Sequence, residues 1–546
     1  MNFSAAIANS LWGLANVPAY LRFRRALSEP GVAQRRRLHS YLETNANTAF
    51  GLEHRLAEIR TYEQFAKRVP VRDYEEHLPW VERIRQGEPH VLTRELVTHL
   101  VPTSGSTSAR KLIPFTRGLQ REFNAGIAPW LCDLYRQMPG LAGGPAYWSI
   151  TPALQDRETA SSAVPIGFDS DTAYLGGGRK RLVDAIMAVP SAVQHVQSLE
   201  AFRYATLLAL LRCRELRLIS VWHPSFLSLL LDALSVHWEQ LLEDVTSGRC
   251  FCSEMFPESV RRELSSSPMP NRARELRRLD SLNAEALWPK LRLISCWGDG
   301  AAALSLEELR RRFSHARFQA KGLLATEAFV TLPFGAHWPL AINTHFFEFM
   351  DDAGQIHLAD GLREGGEYEI VVTTAGGLWR YRLGDRVTVD GWVKRTASLR
   401  FLGRGGNVSD RFGEKLSEAF VAGALSKLFR DGAPRFALLA PDEDATGCRY
   451  TLYLEGAPRP DCLEELDRTL RHNPQYAWCR DLGQLLAPRM FVIRSDAYQR
   501  FAERQAAGGA RLGDIKPSPL SRLSGWSQIF AGSYVTQPSA NLALLR

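Results

Sequence analysis

Residues 103–116 read TSGSTSARKLIPFT: a run of hydroxyl side chains, one glycine and one lysine ahead of an apolar stretch. Hydroxyls and backbone N–H groups in a glycine-containing turn can hydrogen-bond phosphate oxygens, and Lys111 adds a point charge. The loop is not a Walker A sequence, which needs a second glycine directly before the lysine. The same composition also makes a plain surface loop. Two other places carry chemistry. In GLWRYRLGDRV, Asp385 follows a glycine turn at a strand end, where a carboxylate can accept hydrogen bonds from both hydroxyls of a ribose. A β-turn aspartate without a ligand reads the same way. In LLATEAF, the single carboxylate of Glu327 stands in an apolar stretch and can serve a Mg2+ ion. Thr326 followed by Glu327 also reads as a helix N-terminus.

The elements around these residues follow from hydrophobic spacing. Residues 1–100 read mainly as helices, with Leu38, Leu42 and Phe50 near helical spacing and Thr61 as an N-cap before Glu63. The segment 109–135 reads as a short strand entering a helix. GPAYWSITPAL, LRLISVWHPSFLSLLLDAL and LRLISCWGDGAAALSLEELRRRF repeat a strand-then-helix order. That alternation predicts an α/β fold with helices packed on mostly parallel sheets. From about residue 340, short strands with Gly and Asp turns predict a β-rich subdomain reaching to 403. Residues 435–495 read as a small α+β domain. The expected division is a large domain over 1–403 and a small mobile C-terminal domain over 404–546, with a linker near 403–409 whose glycines suit a hinge.

Composition narrows the function classes. Of 546 residues, 45% are hydrophobic and 23% charged, an ordinary globular balance. The net charge is +8, but the arginines are scattered and no arginine–aromatic repeat forms a nucleic-acid platform. We therefore expect no nucleic-acid partner. No apolar run reaches the ~20 residues of a membrane span, and the N-terminal segment reads as an amphipathic helix rather than a signal peptide. The eight cysteines form neither a disulfide framework nor a completed zinc pattern, which fits a reducing, cytoplasmic setting.

In this order, the three chemistry-bearing segments resemble the nucleotide motifs of the adenylate-forming superfamily, which includes acyl-CoA synthetases, luciferases and peptide-synthetase adenylation domains. More closely, they resemble the Gretchen Hagen (auxin-responsive promoter) family of acyl acid amido synthetases, whose motifs run SSGTSxGxxK, YxSSE and YRxGD. FAKRVPVRDYEEHLPWVERIRQGEP, VWHPSFLSLLLDAL, LWPKLRLISCWGDGAA and GGEYEIVVTTAGGLWRYRLGD extend the likeness over nearly the whole chain. The first motif is one residue shorter than the family form, and Leu323 stands where YxSSE has its tyrosine.

The resemblance implies roles. Ser104, Gly105, Ser106, Thr107 and Lys111 would line the triphosphate of ATP. Gly298, Asp299, Gly300 and Ala301 would edge the adenine pocket. Thr326 pairs with Glu327, the expected Mg2+ ligand. Tyr381 would lie near the nucleotide, Asp385 would hold the ribose, and Arg404 would contact ribose or phosphate. Lys516, in GDIKPSP, stands where a C-terminal catalytic lysine is expected. The implied reaction activates a small carboxylic acid as an acyl-adenylate and passes the acyl group to an amine, in this family an amino acid. An acyl-CoA or carrier ligase using the same adenylate, and a non-catalytic nucleotide- or acid-binding member, are the alternatives. Tyr147, Trp148, Phe168 and Trp222 are the expected acyl-pocket residues, with ordinary core packing as the other reading. His223 and His345 are candidates, by chemistry alone, for the base that deprotonates the amine.

Overall fold

The computed structural model describes residues 2–535 apart from 104–110, 150–161, 168–183, 251–255, 280–282, 299–301, 405–407 and 508–514 and the single positions 197, 223, 266, 413, 431, 445 and 516. Two compact units divide the chain, one of residues 1–299 and 309–402, the other of 300–308 and 403–546.

In the first unit the strand-then-helix segments build a four-stranded parallel sheet. Its strands are β3 (Ala146–Trp148), β4 (Leu218–Ser220), β5 (Leu293–Cys296) and β6 (Arg317–Ala320), adjacent in that order. All are in parallel register. The strands are short, and β4 and β5 are wholly buried. Strands buried on every residue belong to a parallel sheet covered on both faces. Ahead of this sheet in the chain, β1 (Val97–Pro102) and β2 (Leu112–Thr116) pair as an antiparallel hairpin. Its loop, which contains the first motif, is closed at the base by the Thr103 N–H donating to the Lys111 carbonyl at 2.9 Å.

The β-rich segment is a five-stranded antiparallel sheet made of β7 (Phe346–Met350), β8 (Ile356–Leu358), β9 (Glu367–Thr373), β10 (Tyr381–Val393) and β11 (Thr396–Arg404). Their spatial order is β11-β10-β9-β7-β8. The N-terminal helices pack on its start. Phe50, Phe65, Phe346 and Trp379 share one buried apolar cluster. The Phe50 and Trp379 rings stack at 5.4 Å. Directly after Trp379, Arg380 is held in a left-handed conformation, φ 45°. Its guanidinium donates twice to the buried Glu348 carboxylate at 2.7–3.0 Å and to the carbonyls of Ala66 and Val69. The Tyr62 hydroxyl donates to the same carboxylate at 2.7 Å. This buried ion pair ties the helix Tyr62–Arg68 to the entrance of β10, the strand that carries the third motif.

The second unit has its own sheet, formed in order by Phe436–Asp444, Gly447–Glu455, Arg489–Ile493 and Gly532–Tyr534. One face packs with the helices Glu418–Leu428 and Cys462–Leu470 around Leu439, Leu452 and Leu466. Tyr453, Phe501 and Trp526 belong to a separate buried cluster. Among the described residues no helix is long and apolar enough to cross a membrane, and seven cysteines are free thiols.

Candidate functional site

Lys111 leaves the hairpin loop just before β2 and meets two tyrosines. Its Nζ lies 3.4 Å from the Tyr381 Oη, 5.5 Å from the Tyr74 ring centre and 5.9 Å from the Tyr381 ring centre. An ammonium over an aromatic face is attracted by the ring quadrupole. Each tyrosine is itself fixed. Tyr381 is the first residue of β10, fully buried, with His77 edge-on at 5.5 Å. Tyr74 opens the helix Tyr74–Arg85, whose Asp73 and Glu76 form a reciprocal capping box. The Tyr74 hydroxyl accepts the Leu112 N–H at 2.7 Å, pinning this helix end to β2.

Glu327 sits in the same electrostatic neighbourhood. Burial raises the Tyr74 pKa most, and the Glu327 carboxylate is among the charges that raise it further. The ATE segment is not the helix N-terminus that Thr-then-Glu allows. It forms the tip of a tight turn in which the Ala325 N–H donates to the Ala328 carbonyl at 2.9 Å, with Leu324 bridged to Phe329. Leu323, where the family motif carries tyrosine, is buried at the base of this turn, accepting from Val330 and Thr331. Glu327 is buried, and Thr326 beside it is half-buried.

Asp385 owes its direction to a bulge. The β9–β10 register shifts between Arg382 and Arg386, and Gly384 takes φ +80° inside that interval. A bulge re-aims the side chains it contains, and a positive φ favours glycine. The flanking arginines point to solvent and pair elsewhere, Arg382 with Glu369 and Arg386 with Asp352 and Glu367. Asp385 between them is buried.

Of the four residues named for the acyl pocket, Tyr147, Trp148 and Trp222 are described. Tyr147 is fully buried on β3. Trp148 packs against Trp12 at 5.9 Å and Trp130 at 6.0 Å. Trp222 is 38% exposed beyond the end of β4 and flanks Lys321. Trp297, which is not one of that set, is buried against Phe401.

His345 is not a base. Its Nε2 accepts the Phe329 backbone N–H at 2.9 Å, so the ring proton is on Nδ1, which donates to Glu122 Oε2 at 2.9 Å. Glu122 also accepts from the Tyr41 hydroxyl and from the Ala375 N–H at 3.0 Å. With both nitrogens engaged and the ring fully buried, His345 is part of a structural network.

Ser104, Gly105, Ser106, Thr107, Phe168, His223, Asp299, Gly300, Ala301 and Lys516 lie outside the described residues, and Arg404 is the last residue of β11. Within what is described, the chain brings Lys111 of the first motif to Tyr381 of the third. Sequence reasoning passed over Tyr74, His77 and Lys321. The first two lie in RDYEEH, inside the N-terminal stretch of the family likeness, where the residues by themselves read as an ordinary capped helix start. Among the described residues no cluster of three or more His, Cys, Asp or Glu side chains forms a metal cage. A carboxylate such as that of Glu327 can serve Mg2+ that takes its other ligands from phosphates and water.

Family models for the GH3 family match three consecutive parts of the chain: the N-terminal domain over residues 19–318, the central domain over 338–404 and the C-terminal domain over 421–524. A probable indole-3-acetic acid-amido synthetase GH3.12 of Oryza sativa subsp. japonica is 26% identical over 90% of this chain and 92% of its own. The indole-3-acetic acid-amido synthetase GH3.4 of Arabidopsis thaliana is 24% identical over 89% of this chain and 88% of its own. Among solved structures, the GH3.15 acyl acid amido synthetase superposes with a TM-score of 0.82 at 20% identity, covering 95% of this chain and 96% of that one. That likeness carries the fold.

Proposed function

The chain belongs to the GH3 family, and from that membership we propose how its residues carry out acid activation and amide formation. It is an amido synthetase of the adenylate-forming type, joining a small carboxylic acid to an amino acid. In the first half-reaction a carboxylate oxygen attacks the α-phosphorus of ATP. The bond to the bridging oxygen breaks and pyrophosphate leaves with that electron pair. In the second, the amine nitrogen attacks the acyl carbon, AMP leaves, and the nitrogen gives up a proton.

The approach of two anions opposes the first step, so positive charge fixed beside the phosphates matters most. Lys111 supplies it, held between Tyr74 and Tyr381. Asp385 accepts from the ribose hydroxyls and so sets the depth of the nucleotide. Glu327 would hold Mg2+, which would offset phosphate charge. Thr326, the hydroxyls of residues 104–107, Gly300, Ala301 and Arg404 complete the nucleotide contacts. Lys516 stabilises the departing pyrophosphate; for these last groups the support is the motif likeness. The relatives' names make an aromatic acetic acid such as indole-3-acetic acid the first acid to test.

The observation that carries this reading is the meeting of Lys111 and Tyr381 from two motifs 270 residues apart. The test is acid-dependent exchange of labelled pyrophosphate into ATP across a panel of aromatic and aliphatic acids, followed by mass spectrometry of the conjugate formed with each amino acid. Exchange with none of the acids overturns the activation step. Exchange followed by thioester formation with CoA, and no amide, overturns the amine as acceptor.

A further inference from the structure

The carboxyl ends of β4, β5 and β6 converge on a lysine to which no motif assigns a role. Lys321 follows β6 directly, and its backbone N–H donates to the Cys296 carbonyl at the end of β5 at 2.8 Å. Its Nζ donates to the Ser220 hydroxyl, the last residue of β4, at 2.7 Å. The Trp130 and Trp222 ring centres lie 5.4 and 5.7 Å from the same nitrogen. Trp130 is itself anchored, its indole N–H donating to Gln319 at 2.9 Å. Among the described residues no carboxylate pairs with Lys321.

That is an unusual place for an uncompensated ammonium. Two aromatic faces and one neutral hydroxyl offset only part of the cost of removing a charge from water. The enclosure pulls the Lys321 pKa down to about 8. Among the described residues the titratable groups acting on it add no negative charge: burial pushes the Cys296 thiol up to about 11, and Arg310, which acts on that thiol, is a cation. Lys321 as a residue is half-buried, and Trp222, one wall of its enclosure, is 38% exposed, so the enclosure borders solvent on the Trp222 side. The crevice beyond the carboxyl ends of parallel strands is where open α/β sheets bind ligands. Lys111 has a different set of partners, the tyrosine cradle of Tyr74 and Tyr381.

We infer that Lys321, seated on Ser220 between Trp130 and Trp222, is the receptor for a carboxylate of the acid substrate, an anion site separate from the phosphate site of Lys111. This rests on the reading of the chain as an acid-activating ligase. The tryptophan walls favour acids with a flat, apolar body beside the carboxylate. Binding the anion stabilises the charged lysine, so the pKa of Lys321 rises in the complex. Acid affinity is therefore full below the free-enzyme pKa and declines as the pH rises past about 8.

The experiment compares wild type, Lys321→Met and Lys321→Arg by tryptophan fluorescence and calorimetric titration with indole-3-acetic acid and with an aromatic dicarboxylic acid, without ATP, from pH 6.5 to 9.5. KM values for acid and for ATP are measured in parallel. Methionine fills the lysine's volume without charge, and loss of a buried charge that has no partner is not destabilising; an unchanged thermal midpoint verifies that. The expected result is at least a tenfold weaker acid affinity in Lys321→Met, no pH dependence near 8, an unchanged KM for ATP and partial rescue by arginine. Loss with both acids makes the reacting carboxylate the one held; loss with the diacid alone makes it the distal one. Lys321→Met binding both acids like wild type overturns the site, whatever the activity. Lys321-dependent acid binding without pyrophosphate exchange overturns the ligase reading and leaves the site standing.

Discussion

The Lys111 ammonium lies 3.4 Å from the Tyr381 hydroxyl, and the same two residues belong to motifs 270 residues apart in the chain. A hydroxyl and two ring faces hold the lysine extended in advance, so little ordering remains when phosphate arrives. Replacing Lys111 by alanine is expected to lower kcat for acid-dependent pyrophosphate release by about 100- to 1000-fold, the usual effect of losing one preorganised charge-stabilising group. Tyr381→Phe keeps the ring and loses only the hydroxyl, about 1 kcal/mol or a few-fold in rate. Equal losses in the two variants would show that the hydroxyl, not the lysine, carries the effect.

The bulge at Gly384 sets where Asp385 points. A Cβ on Gly384 meets no atom within 4 Å, so the substitution to alanine strains only the backbone at φ +80°, at about 1 kcal/mol. The expected outcome is a raised KM for ATP with little change in thermal midpoint. Asp385→Asn removes the charge and weakens ATP binding by about 2 kcal/mol, the order of a charged hydrogen bond. Calorimetric titration with ATP checks both, and unaltered affinity in Asp385→Asn would remove this residue from the nucleotide site.

Much of this was legible in the residue order because it is local. The strand-then-helix repeats around LIS and LISC announced parallel strands, and the glycine before Asp385 announced a turn. What could not be read is set by distant partners. His345 looks like a base until Glu122, 223 residues earlier in the chain, and the Phe329 N–H take both its nitrogens. Thr326-Glu327 reads as a helix start until Phe329 pairs back with Leu324 and makes it a turn. Lys321 acquires meaning only when three strand ends and two tryptophans from separate segments meet around it.

His345 therefore tests the assignment of a base in the negative. His345→Gln leaves the Phe329 N–H and Glu122 imperfectly matched, a cost of about 1–3 kcal/mol in stability. At a temperature where the variant is folded, the pH profile of amide formation is expected to match that of wild type. A lost inflection in that profile would restore His345 as a proton carrier.

The Arg380–Glu348 pair connects stability to the site. Glu348 is fully buried and accepts from both Arg380 and Tyr62. Truncating it to alanine leaves a buried guanidinium with two carbonyl partners and no counter-charge, a loss of about 3–5 kcal/mol. The double variant Arg380→Met with Glu348→Leu removes both charges and is expected to recover most of that loss. Urea unfolding midpoints of the two variants and wild type measure the difference. A double variant no more stable than Glu348→Ala alone would mean that the carbonyl bonds to Ala66 and Val69, rather than the ion pair, hold this corner.

Acid should loosen the cradle before it protonates carboxylates. His77 is fully buried, its Nδ1–H donating to the Asp73 carbonyl at 2.8 Å and its Nε2 accepting the Trp379 N–H at 3.4 Å. Burial chiefly holds its pKa below the ordinary value of 6.5. His54 is lowered for the same main reason. A histidine kept neutral by folding binds a proton more readily when unfolded, so its contribution is complete above about pH 6.5 and is lost as the pH falls. Each adds at most about 1.4 kcal/mol per pH unit to the slope. The thermal midpoint of wild type is expected to drop between about pH 6.5 and 5. Because the His77 ring stands 5.5 Å from Tyr381, pyrophosphate exchange should fall with it. His77→Gln, less stable at pH 8, should show a shallower decline over that window. A decline as steep as in wild type would place the acid sensitivity in groups other than His77.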